Sequence, residues 1–555
     1  MTSIAAAAAP AVADPLSEEA GKIGGCVASK MSDEARKACL LDPRTYQVFR
    51  FRDKSILYDV RTGIIAAVTD PFTYDLLHLA RHRTPAGVVE ELGRKYEDID
   101  EELVLSAVAE FRKQGFFFYE HRDRKIAEKI RALLVDHRPK RIQLFVAQAC
   151  NLACIYCYAE ENGSNARNRL MTFERAREAI DHLIRRSGRR RNLTIQFFGG
   201  EPLLNYKLIK QIVEYTKELE KTTSKRFSYQ ISTNGTKLTE EIQDFIVEHD
   251  MGTLVSLDGD EKTHNAQRPL RSGGNSYHLV VDNARSLNRK FRAKGARTLK
   301  VRANITNRRN ANPFEISDHL ESLGFTYIGI SGIFPRPGQP NDLSFTPEEN
   351  LEWRAKSDEH LMEWLKAVDE GRKPESRWGH SQIVKALQGL VSRKELGMIR
   401  CGVGRNTNAV DTDGNIFPCH RYVGMDNYIL GNTNEGIDKS KERAYYDALI
   451  RNSLEWCSKC WARGQCGGIC PWELSRDDGS IGHPPEEGCE HIRYGLARSM
   501  YIYVCLAERH PEYLKELVGN QSRILLGEKQ FTEEDADGDA EGQDGSFEAI
   551  EEAAN

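Results

Sequence analysis

The chain has no run of about 18 apolar residues, which is the least that a membrane-crossing helix needs, so it is read as having no membrane partner. It has almost no excess of charge of either sign: the net charge is -4 over 555 residues, which singles out neither nucleic acid nor a charged surface as a partner. The Ala-rich start, Met1 to Pro15, lacks the basic residues that open a signal peptide. Beyond Lys529 neither Lys nor Arg occurs, and the acidic, Gly-containing end reads as a disordered tail. These absences place the protein in the cytoplasm.

What is abundant is cysteine: thirteen residues, unevenly spread. A reducing compartment does not favour a disulfide framework, so clustered cysteines point to metal or catalysis. Cys150, Cys154 and Cys157 sit together. Seven more fall between Cys401 and Cys489, and only Cys26, Cys39 and Cys505 stand apart.

A length of 555 residues accommodates three or four domains at roughly 150 residues each. Residues 1–41 read as a disordered segment. Tyr46–Phe51, Ser55–Asp59 and Gly63–Val68 read as strands, with Arg61-Thr62-Gly63 as a turn. Two helices follow, one opened by Thr84-Pro85 and one with Leu103, Ala107, Val108 and Phe111 on a single face. Phe116–Tyr119 closes this α+β, winged-helix-like domain, placed at 42–125. Winged helices also bind DNA, but this segment is not notably basic, which argues against nucleic acid.

From 135 to 335 strands and helices alternate. The β runs are Ile142–Ala147, Leu193–Phe198, Phe227–Ser232, Thr253–Leu257, Leu299–Ile305 and Tyr327–Ile330. Helices such as Phe173–Arg186, Glu240–His249 and Tyr277–Lys294 separate them. Six βα units predict an α/β fold, a partial (β/α)6 barrel with its site at the C-terminal strand ends. Cys150, Gly199, Ser232 and Ser256 all occur there. Residues 336–395 read as a helical connector, 396–510 as a cysteine-rich domain and 511–555 as the acidic tail.

Three thiolates in one loop can hold three irons of a [4Fe–4S] cluster and leave the fourth open; a zinc site or chance spacing is the alternative. The run Cys150-Asn-Leu-Ala-Cys154-Ile-Tyr156-Cys157 resembles the CxxxCxxC loop of radical S-adenosylmethionine (SAM) enzymes, including its aromatic residue. Three further segments resemble that superfamily. Gly199-Gly200-Glu201-Pro202 is similar to the motif that receives the SAM ammonium. Ser232-Thr233-Asn234-Gly235 is similar to the ribose-contacting segment. Ser256-Leu257-Asp258-Gly259 with Arg268 is similar to the carboxylate-binding Ser and Arg. Each alone is weak, and Gly-Gly is common in ordinary turns, but all occur in order. The resemblance implies SAM and a low-potential electron donor of flavodoxin or ferredoxin type. It also implies cleavage of SAM to a 5′-deoxyadenosyl radical, which abstracts hydrogen from substrate.

Cys401, Cys419, Cys457, Cys460, Cys466, Cys470 and Cys489 resemble the seven-cysteine SPASM domain; paired zinc ribbons are the bland alternative. Family precedent implies two auxiliary [4Fe–4S] clusters, three clusters in all. One is held by Cys457, Cys460, Cys466 and Cys489, the other by Cys401, Cys419 and Cys470. Seven ligands leave one iron open or held by an unidentified group. Cys505 is a candidate, although its amphipathic-helix setting reads as a buried structural thiol.

SPASM enzymes mostly modify peptides or proteins. Sulfatase maturases carry Asp after the second cysteine, where this chain has His420. That departure, and the stretch through Gly431-Asn432, favour ribosomal-peptide maturases that form thioethers. His420 could act as a base or as a structural hydrogen-bonding residue. Residues 42–122 resemble a precursor-recognition element, to which a leader peptide adds a strand. The expectation is a maturase that cross-links a precursor peptide or protein, with a thioether preferred. Alternatives are carbon–carbon or carbon–oxygen cross-linking, maturation of an enzyme subunit, sulfatase-type maturation, or a non-catalytic metal-binding module. The basic run Arg185 to Arg191 reads as a solvated loop.

Overall fold

The computed structural model describes residues 38–117, 127, 128, 131, 138–295, 299–306, 312–333, 343, 345–374, 376–391, 401–404 and 406–519. The N-terminal unit begins with an antiparallel sheet in the order β1 (Tyr46–Phe51), β2 (Lys54–Asp59), β3 (Ile65–Ala67). Three helices follow it rather than two: α1 (Pro71–Ala80), α2 (Pro85–Gly93) and α3 (Glu101–Lys113). The additional α1 starts as α2 does. An Asp70 carboxylate accepts from the Thr73 N–H and Pro71 opens the helix, as Thr84 caps α2 ahead of Pro85. On α3 the buried positions are Val104 and Val108, while Leu103 is 43% exposed. The apolar face is thus offset by one residue from the expected one, because Val104, Val108 and Phe111 follow the helical period more closely. Of the closing segment, Phe116 and Phe117 are buried, and the Phe117 N–H donates to the buried Asp59 carboxylate; Phe118 and Tyr119 lie outside the described residues.

The sheet has two apolar faces. One packs Tyr46, Val48 and Leu57 under its own helices. The other packs Phe49, Phe51, Ile56 and Tyr58 on Trp461 and on Tyr501 of a C-terminal helix.

The second unit is built on six parallel strands: β4 (Arg141–Gln148), β6 (Asn192–Gly199), β7 (Arg226–Thr233), β8 (Gly252–Ser256), β9 (Lys300–Ile305) and β10 (Tyr327–Gly332). A two-residue strand, β5 (Arg169–Leu170), pairs antiparallel with β4. Strand order follows chain order, as short βα connections demand. Alternate residues such as Ile142, Leu144, Ile195, Phe197, Val255, Val301 and Ile328 pack against the outer helices. The intervening residues, among them Gln143, Gln196, Phe198, Ser232, Arg302 and Ser331, therefore line the inside.

At its β4 edge the sheet continues into the C-terminal unit. There β11 (Thr407–Val410) pairs parallel with β4, followed by antiparallel β12 (Asn415–Phe417), β13 (Gly431–Asn432) and β14 (Gly436–Ile437). The connector contains helices Pro347–Asp369 and Arg377–Val391. It is part of the C-terminal core, since Trp364, Ile383 and Leu387 pack beside Met500 and Tyr503 of helix Glu486–Arg509. The segment expected to be a tail from residue 511 starts with a further helix, Pro511–Val518, which buries Leu514 and Val518; residues 520–555, like 1–37, lie outside the described residues. No helix among the described residues is long and apolar enough to cross a membrane.

Candidate active site

The ends of the parallel strands converge on the Cys150–Cys157 loop. Two glycines make the approach possible. A Cβ on Gly199 would lie 2.1 Å from the Ala147 carbonyl oxygen, and one on Gly200 would lie 2.3 Å from that of Ala149. Gly199 also has φ of +147°, which side chains disfavour. The loop itself is tied down by the Ala153 N–H donating to Pro269 O and that of Ile155 donating to Gln267 O.

Each thiol has a polar group beside it. The Cys150 sulfur lies 3.5 Å from the Leu152 N–H nitrogen and 3.8 Å from Asn234 Nδ2. Arg268 Nη1 is 3.8 Å from the Cys154 sulfur, and Asn165 Nδ2 is 3.7 Å from that of Cys157. Burial pushes the Cys150 thiol up to about 12 and that of Cys154 up to about 11. Three desolvated thiols with donors aimed at their sulfurs are a donor set for metal, whose charge displaces the protons. They fit a [4Fe–4S] cluster. The Asn165 Oδ1, buried and without a donor among the described residues, lies next to Gly200 and suits an incoming N–H group such as an ammonium.

Glu201, expected to meet the SAM ammonium, is wholly buried, and its carboxylate accepts from protein donors. These are the Thr233 hydroxyl (2.7 Å), the Asn234 N–H (2.7 Å) and the Leu203 N–H (3.1 Å). Burial nevertheless raises it to about 7. Glu201 thus joins the ends of β6 and β7, with Pro202 opening the turn that follows. Asn234 Nδ2 also donates to Asn151 Oδ1 (3.0 Å), so the β7 end is fastened to the cysteine loop. The Ser232 hydroxyl accepts from Gln196 (3.4 Å), and Ser256 ends β8 in register with Arg302.

Arg268 is held by a residue the sequence reading did not single out. Its Nε donates to the Asp258 carboxylate at 2.8 Å, and both side chains are buried. Asp258 also accepts from the Tyr156 hydroxyl and from the Asn304 N–H (3.0 Å), while the guanidinium lies 5.2 Å from the Tyr156 ring centre. Asp258 holds Arg268 charged beside Cys154. The available signal was a carboxylate two residues past a strand end with an Arg ten residues further on.

The seven C-terminal cysteines form two groups. Cys419 interacts with Cys470 and Cys401. Cys457, Cys460, Cys466 and Cys489 line one pocket together with Trp456, His483 and Arg493. Burial raises Cys470 to about 11 and Cys489 to about 12. Among the described residues no three His, Cys, Asp or Glu side chains close on a single-ion site. Cys505 is buried in an apolar cluster, with Tyr501, Asp53, Lys54 and Arg509 as its polar neighbours. His420 lies between Phe198 (4.7 Å between ring centres) and Tyr158 (6.0 Å). Its backbone N–H donates to Gln143 Oε1 at 3.0 Å, and its ring Nδ1 lies 3.1 Å from Gln143 Nε2. Burial, then Arg421, lowers its pKa to about 3, so the ring is neutral at pH 7.

Residues 144–321 match the model of the radical SAM superfamily. The radical SAM cyclopropyl synthase TigE of Paramaledivibacter caminithermalis is 23% identical over 436 residues, 74% of this chain and 86% of its own. A cysteine-type anaerobic sulfatase-maturating enzyme of Clostridium novyi is 23% identical over 330 residues, 56% of this chain and 82% of its own. The solved structure of native anSMEcpe with bound AdoMet and a Cp18Cys peptide superposes with a TM-score of 0.51 at 19% identity, covering 67% of this chain and 99% of that one. The chain carries a radical SAM domain over residues 144–321 and is similar to radical SAM peptide and sulfatase maturases. It is an enzyme whose cofactors are SAM and [4Fe–4S] clusters.

Proposed function

We propose that the enzyme matures a ribosomally made peptide or protein by installing a cross-link, preferentially a thioether from a peptide cysteine. The observation that carries this reading is the convergence at the strand ends of Cys150, Cys154 and Cys157 with Glu201, Asn234 and the Asp258–Arg268 pair, with Tyr158 lying beside both Cys157 and Cys419. Cys150, Cys154 and Cys157 would hold the SAM-binding cluster; Cys401, Cys419 and Cys470 would hold one auxiliary cluster; Cys457, Cys460, Cys466 and Cys489 would hold the other. When bound, the cluster and SAM supply reductive sulfonium cleavage and a carbon radical that abstracts hydrogen. Asp258 keeps Arg268 charged for the SAM carboxylate, and Asn165 Oδ1 offers an acceptor to its ammonium. Gly200 lets the strand end close onto the cysteine loop, and Ser232 and Ser256 would stand beside the rest of the molecule. Phe198 and Tyr158 exclude water around the substrate. His420, neutral and bonded to Gln143, shapes the wall. With only three cysteines in the Cys401 group, one auxiliary iron would be left for a substrate thiolate.

The N-terminal sheet would receive a leader peptide along an edge strand, β1 or β3. A low-potential flavodoxin or ferredoxin would supply electrons. Several relatives favour other products: TigE is named a cyclopropyl synthase, and four others are named sulfatase-maturating enzymes. The test is anaerobic. The reconstituted chain should hold about twelve irons, three clusters' worth. With reductant and SAM it should release 5′-deoxyadenosine, and Cys150→Ala should abolish that release. A peptide product that has lost hydrogen but kept every free thiol rejects the thioether in favour of carbon–carbon or carbon–oxygen linkage. Zinc in place of iron, with no SAM cleavage, rejects the enzyme altogether.

A further inference from the structure

The junction between the N-terminal sheet and the C-terminal unit holds three guanidinium groups around one carboxylate. Arg52 comes from the two-residue turn between β1 and β2, Arg354 and Asp358 from helix Pro347–Asp369, and Arg498 from helix Glu486–Arg509. Arg52 Nη2 lies 3.8 Å from Asp358 Oδ2 and Arg498 Nε lies 3.7 Å from Oδ1, both beyond hydrogen-bond length. Asp358 Oδ2 instead accepts from the Tyr494 hydroxyl at 2.6 Å, and Arg354 lies over the same Tyr494 ring, 4.8 Å from its centre. The Nε atoms of Arg354 and Arg498 are buried and reach no acceptor among the described residues, and Asp358 Oδ1 reaches no donor. Three positive charges against one negative leave two uncompensated. The neighbouring Asp53 does not make up the difference: it accepts from Tyr501 at 2.9 Å and lies 4.0 Å from Lys54. Arg52 also has a φ of +52°, which Gly or Asn adopts more readily, yet an Arg occupies the turn.

Partly buried cations without enough anions are costly, and an arriving carboxylate removes that cost. Side-chain exposures of 38% for Arg52 and 19% for Arg498 leave the group reachable from solvent. Apolar side chains flank it: Leu351 and Met362, on the same helix face as Asp358 and on either side of it, are 57% and 37% exposed. We propose that Arg52, Arg354 and Arg498 bind an acidic residue of the precursor peptide or protein, with Leu351 and Met362 receiving its apolar neighbours. The planar fork of Arg donates two parallel hydrogen bonds to such a carboxylate. A peptide suits the site better than a free oxyanion. It brings apolar side chains for Leu351 and Met362 and N–H donors for Asp358 Oδ1, whereas a bare anion brings acceptors only. The site rests on the reading of the enzyme as a peptide maturase and adds what part of the substrate is recognised outside the barrel.

The test measures equilibrium binding to the cluster-loaded full chain by fluorescence anisotropy. The probes are labelled Ala-Leu-Glu-Glu-Leu-Ala amide and its Gln-Gln counterpart. Wild type should bind the Glu peptide about tenfold tighter, and the preference should shrink as salt rises. Arg52→Gln, in an exposed turn, should cut the preference about threefold, and Arg52→Gln combined with Arg354→Gln should bring it close to one. Asp358→Asn, which removes the competing carboxylate, should strengthen binding of the Glu peptide. Equal affinities in wild type, or a preference that survives the double variant, overturns the site. So does weakening of both peptides alike in Asp358→Asn, which marks the cluster as a joint between the units. Inorganic phosphate that binds wild type in calorimetry and is lost in Arg52→Gln, with the two peptides not distinguished, assigns the arginines to a small oxyanion and overturns the peptide site. SAM cleavage without peptide discrimination rejects the site alone. Discrimination without release of 5′-deoxyadenosine rejects the maturase reading and leaves the acidic-peptide site standing.

Discussion

The cysteine loop at the strand ends and the four-cysteine pocket of the C-terminal unit use the same side chain in opposite settings. At the strand ends each sulfur has a polar neighbour from another element, and a lattice of buried charges (Glu201, Asp258, Arg268) surrounds the loop. The four-cysteine pocket instead adjoins an apolar layer. Trp461, next to Cys460, packs on Phe49 and Tyr58 of the N-terminal sheet. Three protein ligands leave a position for a reactant, and four leave none. The first setting is polar and tied to the strand ends, while the second borders the layer that docks the N-terminal sheet.

The largest expected effect separates the two directly. Cys150→Ala should abolish 5′-deoxyadenosine formation with little change in melting temperature. Cys489→Ala should remove about four irons and lower the melting temperature while SAM cleavage persists. Iron counts, melting curves and product chromatography read all three quantities, and reversed outcomes would break the comparison. Next come two variants expected to cost similar stability for different reasons. Trp461→Ala leaves a cavity worth about 3–5 kcal/mol. Asp258→Ala leaves the buried Arg268 uncompensated, also at about 3–5 kcal/mol. Denaturant titration gives both values, but only Asp258→Ala should also weaken SAM binding. A smaller effect concerns pH. Glu201 has a folded pKa of about 7 against an ordinary value of 4.5, so the folded state holds its proton more tightly. Its contribution favours folding below pH 4.5 and is lost as pH rises through about 7. Glu201→Gln should flatten that part of a stability–pH curve; an unchanged slope would show that another group titrates. The smallest is Thr84→Ala, which removes the α2 cap and should cost about 1 kcal/mol, confined to the N-terminal unit.

Much of the fold was legible in the sequence because period and punctuation are local. Tyr46–Phe51 and Tyr277–Lys294 fall where alternation and helical spacing put them. The Asp70-Pro71 start carried the same signal as Thr84-Pro85, and the helix it opens was missed. On α3, Leu103 was one residue away from the true face. Arg268 could be named from its motif, but its partner Asp258 could not be chosen over the neighbouring Asp260, which caps a helix instead.

The sequence by itself determined the donor types, their spacing along the chain and the order of the strands, since these follow from local chemistry and short connections. Only the tertiary structure decided which of the seven C-terminal cysteines lie near one another, that Glu201 accepts hydrogen bonds from the end of β7, and that Asp258 holds Arg268. Those relations join residues as much as 69 positions apart, Cys401 and Cys470. Packing and burial, which set both proximity and protonation, exist only once the chain has folded.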